Sequence, residues 1–146
     1  GDSYKSINGY LFGGRNPSKD VIHQVECIDE AISDHIIRER FTVDRQMRLS
    51  TFHVNDMESL FDLNTGRTFE HIGYMATSIK EGGIDVDGED RIATRILVPP
   101  GSAGVYVEPI TQHPGEYEIL LPRGRALRFE GLGASDGRPI VYLRLL

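Results

Sequence analysis

The chain has one cysteine, no tryptophan and no long apolar run. The scarcity of cysteine and of apolar runs excludes particular kinds of cross-link, metal site and membrane segment. Its single cysteine, Cys27, excludes an internal disulfide and a zinc site built from cysteines. No stretch approaches the roughly 18 apolar residues of a membrane-spanning helix, so no membrane segment is expected. Positive charge is also scarce: the net charge is −6 and the pI is near 5.3. This balance disfavours nucleic acid as a partner through bulk electrostatics.

A metal centre is not expected either. The histidines lie at positions 23, 35, 53, 71 and 113, and none has a metal-ligand spacing with another. The acidic run Asp85–Asp90 lacks the spacing and the terminal bidentate glutamate of a calcium loop. Cys27 falls within a helical pattern, which predicts a small core residue rather than a metal ligand.

Length and composition predict one soluble domain over residues 1–146. The chain has 146 residues, of which 39% are hydrophobic and 26% charged, enough for one core and too few for two comfortable ones. It begins with Gly1-Asp2-Ser3, with neither an initiator Met nor a signal peptide. We interpret this start as that of a domain excised from a larger protein or as the remnant of a tag, and a secreted parent is compatible with it.

The first part of the chain has helical periodicity. Apolar residues at three- and four-residue steps predict one helix over residues 3–12 and a longer one over residues 19–37. Asn55, with Glu58 three residues later, predicts a capping box that opens a short helix through about Phe61. These segments place the helices mainly before the strands.

The second part is rich in β-branched residues separated by Gly and Pro. Extended structure is also predicted from Phe41 onward. The later predicted strands are Tyr74–Ile79, Arg91–Val98, Val105–Val107, Tyr117–Leu121, Ala126–Phe129 and Ile140–Leu145. We therefore predict an α+β fold, in which two N-terminal helices pack on a compact mixed or antiparallel β-core.

A pair of acids, Glu116 and Glu118, follows a Pro-Gly turn at the start of an apolar run. Strand side chains alternate with period two, so the two carboxylates are predicted to share a face. In such a pair, one carboxylate can orient a substrate while the other transfers a proton. The same pattern also suits a solvated strand edge with Tyr117 pointing inward, and spacing alone does not decide between the two.

Three short motifs occur in a fixed order. An aromatic–arginine segment, Phe41-Thr-Val-Asp-Arg45, comes first. A hydroxyl cluster follows in Gly73-Tyr-Met-Ala-Thr-Ser78, and Glu116-Tyr-Glu118 comes last. This order resembles the arginine–serine–glutamate class of mono-ADP-ribosyltransferases, which includes clostridial binary-toxin enzymes, Rho-modifying exoenzymes and many polymorphic-toxin domains. The resemblance covers nearly the whole chain and is most specific over Gly101–Gly131.

The resemblance implies an ADP-ribosyltransferase fold, NAD as substrate and no metal. It assigns Arg45 to the NAD pyrophosphate, a role suited to a permanently charged fork of N–H donors. Arg48 and His53 lie close enough in the chain to compete for that role. The resemblance also assigns NAD contacts to Thr77, Ser78 and Tyr74. Core packing is the alternative for Tyr74.

The same resemblance gives the two acids separate roles. Glu118 aligns with the catalytic glutamate, whose carboxylate can accept a hydrogen bond from the ribose 2′-hydroxyl and stabilise an oxocarbenium-like state. Glu116 aligns with the acid that positions or deprotonates the acceptor, and glutamate here goes with arginine acceptors. His113, in the preceding loop, could touch substrate or simply belong to the turn.

Two positions depart from the family pattern. The Ser-Thr-Ser motif is Ala76-Thr77-Ser78 here, so the hydroxyl that holds the catalytic glutamate is missing. Thr77, Ser78 or a water could substitute for it. Asp44 replaces the tyrosine before Arg45, and this acid could point away from the phosphate site or weaken NAD binding.

The function implied is transfer of ADP-ribose from NAD to a protein acceptor, with arginine favoured and nicotinamide released. The resemblance further implies a monomeric domain of a larger toxin or effector, secreted or delivered into a target cell and acting in its cytoplasm. Two alternatives stay open: an enzyme of this fold that hydrolyses NAD or modifies a non-protein acceptor, and a non-catalytic binding module.

Overall fold

A single curved sheet with little helix organises the part of the chain that the structure describes. The structure is a computed structural model and describes residues 19–33, 36–78, 90–102, 105–106 and 118–146. The helices are α1 (Lys19–Ser33) and α2 (Met57–Phe61), with a 3-10 turn at Leu49–Phe52. The strands are β1 (Phe41–Arg48), β2 (Thr68–His71), β3 (Met75–Ser78), β4 (Arg91–Val98), β5 (Val105–Tyr106), β6 (Glu118–Leu121), β7 (Arg125–Ser135) and β8 (Arg138–Leu145).

The eight described strands form one mixed sheet in the order β2-β7-β8-β4-β1-β3-β6-β5. The β4–β8 pair is parallel, and every other neighbouring pair is antiparallel. β1 pairs with β4 along its whole length, from Phe41 opposite Val98 to Arg48 opposite Arg91. Among the described residues, it pairs with β3 at one position, Asp44 opposite Ser78. We call this β1–β3 contact the seam.

The main core lies on the sheet face that carries the odd-numbered residues of β1 and β3. Alternation along the strands produces this core, because every second side chain points inward. Its fully buried members include Val43, Phe52, Met75, Ile96 and Leu121. Phe52 and Phe69 meet edge to face, with ring centroids 5.3 Å apart. Each such buried side chain contributes about 1.5–3 kcal/mol relative to an exposed one.

A smaller cluster lies beneath α1 on the opposite face. It comprises Val25 and Ile32 from the helix, together with Tyr74 and Leu120 from the sheet. Ala76 packs against it from β3. Val25 and Ile32 are the two buried side chains of α1, so the helix is held by a narrow apolar stripe.

The α+β prediction is confirmed in its sheet and in one of its two N-terminal helices. The first predicted helix, residues 3–12, lies outside the described residues. In α1 the described helix ends at Ser33 rather than at residue 37, and Ile36 already forms a β-bridge. Ile37 then exchanges backbone hydrogen bonds with the turn after β4, at Gly101 and Ser102, which explains why the helix does not continue.

Two local predictions were wrong. The helix cap before α2 is Asp56 rather than Asn55, because the Asp56 Oδ1 accepts the Ser59 amide proton at 2.7 Å. Cys27 is exposed, not buried. The buried stripe of α1 runs through Val25 and Ile32 and turns Cys27 toward solvent.

Candidate active site

Described residues of all three sequence motifs lie on three adjacent strands, β1, β3 and β6. Asp44 of β1 is directly opposite Ser78 of β3, and Ser78 is directly opposite Glu118 of β6. Arg95 of β4 continues the same row on the far side of Asp44. Directly opposed residues share a face of a sheet. The fold therefore aligns the last residue of the hydroxyl motif and the last residue of the acidic motif in one row across the seam.

Arg45 lies one residue beyond this row, at the seam itself. Its side chain is half-buried, and its Nη1 donates to the Ala76 carbonyl oxygen at 2.8 Å. The Thr94 hydroxyl donates to the Arg45 carbonyl oxygen at 2.7 Å and holds the backbone of β1 against β4. The guanidinium thus bridges β1 and β3 next to the pair of Asp44 and Ser78. A permanently charged group at that point suits a phosphate, and the residues present are compatible with NAD.

Asp44 forms an ion pair with Arg95 of β4. The Arg95 Nε donates to Asp44 Oδ1 at 2.9 Å, and its Nη2 donates to Oδ2 at 3.0 Å. The Asp44 side chain is only 8% exposed, against 23% for Arg95. Adjacent strand residues face opposite sides, so the carboxylate points away from the Arg45 side chain. Of the two outcomes expected for this acid, the structure shows the one in which it points away.

His71 lies at the end of β2, within electrostatic reach of Arg45. Its Nδ1 is 2.8 Å from the Gly73 carbonyl oxygen, which can only accept, so Nδ1 carries the proton. Burial, with a smaller contribution from the Arg45 charge, lowers the pKa of His71 to about 4, although the Gly73 hydrogen bond opposes the shift. The ring is therefore neutral at pH 7. His71 was passed over in the sequence because it lacks metal-ligand spacing, and its closeness to Arg45 has no sequence signal.

Thr77 and Ser78 are both fully buried. The Thr77 hydroxyl donates to the Ile119 carbonyl oxygen of β6 at 2.8 Å, so it stabilises the pairing of β3 with β6. Ser78 occupies the row between Asp44 and Glu118. The predicted NAD contacts of Thr77 and Ser78 stay predictions.

Tyr74 is a core residue in this structure, with 1% of its surface exposed. Its hydroxyl donates to Asp29 Oδ1 at 2.6 Å, and the Val25 carbonyl oxygen lies 3.1 Å away. Burial raises the pKa of this phenol, and the neighbouring Asp29 carboxylate raises it further. A ring buried in this way presents no open face to a nicotinamide or an adenine. Core packing, the alternative that the sequence left open for Tyr74, is what the structure shows.

Asp29 links α1 to the chain after β6. Arg123 forks onto it, with Nη2 at 2.7 Å and Nε at 3.0 Å from Oδ2. Burial alone would raise the pKa of Asp29, but the hydrogen bonds from Arg123 and Tyr74 outweigh it, and the pKa lies below its usual value. An open cleft of about 410 Å³ borders this pair and is lined also by Ile32, Ser33, Pro122 and Arg125. It contains none of the predicted site residues and lies beyond the end of β6 opposite to Glu118.

Glu116 and His113 lie outside the described residues. Glu118 is the first residue of β6, one residue after the predicted start at Tyr117, which also lies outside the described residues. The competing arginine, Arg48, is exposed at the far end of β1, and His53 follows the 3-10 turn. Among the described residues, no group of three or more His, Cys, Asp or Glu side chains could hold a metal ion. In the same part of the chain, no helix is long and apolar enough to cross a membrane.

Solved structures of ADP-ribosylating toxins share this fold. Plx2a, an ADP-ribosyltransferase toxin from Paenibacillus larvae, aligns with 99% of this chain and 86% of its own, at a TM-score of 0.77 and 22% identity. C3stau2 from S. aureus, solved with NAD, aligns with 99% of this chain and 86% of its own, at 0.75 and 20%. BECa of a C. perfringens binary enterotoxin, solved with NADH, aligns with 98% of this chain but 40% of its own, at 0.77 and 23%. The fold is therefore that of the ADP-ribosyltransferase toxins.

Sequence comparison gives the family directly. The ADP-ribosyltransferase exoenzyme family model matches residues 1–139, and the chain belongs to that family. The mono-ADP-ribosyltransferase C3 of Clostridium botulinum C phage is 39% identical over 75 residues. That match spans 51% of this chain and 30% of the relative. The resemblance inferred from the three motifs is confirmed.

Proposed function

We propose that this chain is an NAD-dependent mono-ADP-ribosyltransferase that transfers ADP-ribose to a protein acceptor, with arginine favoured, and releases nicotinamide. One observation carries the proposal: Arg45 of β1 donates to the Ala76 carbonyl oxygen of β3, the strand whose Ser78 is directly opposite Glu118 of the acidic motif. Family membership and the NAD and NADH of the solved relatives support it.

The chemistry assigns each group a task. The bond between ribose C1′ and the nicotinamide nitrogen breaks, and nicotinamide leaves neutral with the electron pair, so no general acid is needed. Arg45 binds the pyrophosphate. The Glu118 carboxylate accepts a hydrogen bond from the ribose 2′-hydroxyl and stabilises the positive charge that develops at C1′. An acceptor arginine nitrogen then bonds to C1′ and loses a proton to Glu116.

The proposal extends to the parent protein and to the place of action. We propose that the chain is a monomeric catalytic domain of a larger toxin or effector, secreted or delivered into a target cell, where it acts in the cytoplasm. NAD serves as a substrate, and Arg45 supplies the cation at the phosphates, so no metal is required. Catalysis in the presence of EDTA tests this last point, and loss of activity on chelation would contradict it.

The replacement of the usual serine by Ala76 favours a second candidate, an NAD glycohydrolase or a non-catalytic module of this fold. Incubation of the protein with NAD labelled in the adenylate phosphate separates the candidates. Label on protein indicates transfer, and label released only as ADP-ribose indicates hydrolysis. Binding of NAD without either product indicates a module, and no binding at all would overturn the proposal.

Glu118→Gln is the decisive variant. The amide keeps the shape but not the charge, so both transfer and hydrolysis should be lost. Glu130→Gln is the matched control, because Glu130 is an acid of β7 that pairs at the surface with Arg128. A Glu118→Gln rate within about tenfold of the parent, a barrier change of about 1.4 kcal/mol, would remove Glu118 from the mechanism.

A further inference from the structure

The inference concerns Thr94, a buried polar residue of β4 that is directly opposite Arg45. The inward-facing residues of β4 are Ile92, Thr94, Ile96 and Val98, and all of them are buried. The three aliphatic ones belong to the main core. Thr94 therefore places a hydroxyl in a row of aliphatic side chains, where a polar group is costly to bury unless it is hydrogen-bonded.

The hydrogen bond of this hydroxyl goes to the backbone of Arg45. The Thr94 hydroxyl donates to the Arg45 carbonyl oxygen at 2.7 Å. Because the two residues are directly opposed, their side chains share a face of the sheet and their Cβ atoms lie within about 4.5–5.5 Å. On the other side of β4, Thr94 is opposite Val141 of β8, whose side chain has no polar atom. Arg45 is thus the opposed residue that the hydroxyl serves.

The position of β1 at Arg45 depends mainly on β4. Among the described residues, β1 pairs with β4 at every position but with β3 only where Asp44 is opposite Ser78. The Arg45 side chain nevertheless reaches β3, where its Nη1 donates to the Ala76 carbonyl oxygen. A hydrogen bond to the Arg45 carbonyl oxygen restrains the peptide plane that follows Arg45. It thereby restrains the direction in which the side chain leaves the backbone.

We propose that Thr94 is a positioning residue of Arg45: its hydroxyl fixes the backbone of that residue, so that the guanidinium is held at the seam for the NAD pyrophosphate. The inference rests on the proposed function, since the phosphate role of Arg45 is part of it. The guanidinium contacts the phosphates before and during the departure of nicotinamide, so its misplacement weakens ground-state and transition-state binding alike. Loss of the hydroxyl should therefore raise KM and leave kcat nearly unchanged.

Steady-state NAD cleavage by Thr94→Val and Thr94→Ser tests the role. Valine keeps the branched shape and removes the hydroxyl, whereas serine keeps the hydroxyl and removes the methyl group. In Thr94→Val the KM for NAD should rise about 5- to 20-fold, with kcat within about threefold of the parent. In Thr94→Ser the KM should stay within about twofold of the parent. An unchanged KM in Thr94→Val, or an equal rise in both variants, would overturn the proposal.

Urea unfolding separates positioning from a general loss of structure. Thr94→Ser and Ile96→Val each remove one buried methyl group from the inward face of β4, so both should lower stability. Neither should change the KM for NAD by more than about twofold, because neither removes the donor to Arg45. A KM that rises in step with the loss of stability across the three variants would show that Thr94 is merely structural.

An NMR measurement tests the positioning without any activity. The Arg45 Nε is buried, which slows the exchange of its proton and makes its nitrogen–proton resonance observable. Arg45→Lys assigns that resonance by removing it. The resonance should shift in Thr94→Val and keep its parent position in Thr94→Ser. An unshifted resonance in Thr94→Val would overturn the proposal. A shift in a protein that does not cleave NAD would refute the proposed function and leave the positioning of Arg45 by Thr94 standing.

Discussion

Asp44 and Arg95 face each other across β1 and β4 and form a forked ion pair, with oxygen–nitrogen distances of 2.9 and 3.0 Å. The carboxylate is nearly buried, whereas the guanidinium keeps some contact with solvent. The sequence places Asp44 directly before Arg45, the arginine assigned to the phosphates, and the ion pair shows which cation Asp44 contacts. Its charge is compensated on the face away from Arg45.

Loss of Arg95 should destabilise the fold. Arg95→Met leaves a buried carboxylate without its cation, and we expect the free energy of unfolding to fall by about 2–3 kcal/mol, less than for a fully buried pair because Arg95 is partly exposed. Urea unfolding measures it. Arg128→Met breaks the surface pair with Glu130 and should change stability by less than about 1 kcal/mol. Equal effects of the two substitutions would contradict the burial argument.

Tyr74→Phe should separate packing from ligand contact. It removes the hydroxyl that donates to Asp29, which keeps its fork from Arg123, so we expect a loss of about 1 kcal/mol in unfolding free energy. The Kd for NAD, measured by calorimetry, should stay within about twofold. Tyr142→Phe on β8 is the surface control. A weaker Kd for NAD with unchanged stability would restore the predicted NAD contact of Tyr74.

His71 should make stability depend on pH. Its folded-state pKa of about 4 lies below the ordinary 6.5, so the unfolded chain binds a proton that the folded chain does not between these values. The free energy of unfolding should therefore fall as pH drops from 6.5 to 4, by about 3 kcal/mol in total.

His71→Gln removes this titrating group and should flatten the stability profile over that window. His23→Gln changes an exposed histidine of α1 and should leave the slope as it is. Urea midpoints at pH 7.5 and 5.0 provide the comparison. A His71→Gln profile as steep as that of the parent would show that other groups cause the pH dependence.

Glu116→Gln should lower the rate of transfer to the acceptor more than the rate of NAD cleavage. The amide cannot take a proton from the incoming arginine nitrogen, whereas departure of nicotinamide does not need that base. Transfer to an arginine acceptor should fall by at least about 100-fold, while NAD hydrolysis falls by less than about tenfold. Parallel assays of the two products measure the ratio. Equal losses would place Glu116 in NAD cleavage instead.

Several elements of the fold could be predicted because their signals are local. The strand Arg91–Val98 was predicted with its observed bounds, since the segment is enriched in β-branched residues. The short strand β2 was not predicted as a separate element. Its four residues follow a turn and pair, within the described part of the chain, with β7, a contact more than fifty residues away in sequence.

In the candidate site too, some residues could be predicted from the sequence and others could not. The motif residues Arg45, Ser78 and Glu118 could be named from their order and spacing. The partners Arg95 and His71 could not, because neither forms a pattern with its sequence neighbours. Arg95 reaches Asp44 across 51 positions of chain, and only the antiparallel register of β1 and β4 brings them together.

By itself, the sequence determined the family, the α+β class and the residues that can carry the chemistry, because these depend on residue types at short, ordered spacings. The tertiary structure decided which side of β1 each charge occupies, that Tyr74 packs beneath α1, and that Ser78 lies between Asp44 and Glu118. These facts depend on strand register. A shift of one residue moves every side chain to the other face, and the pairing of distant strands sets the register.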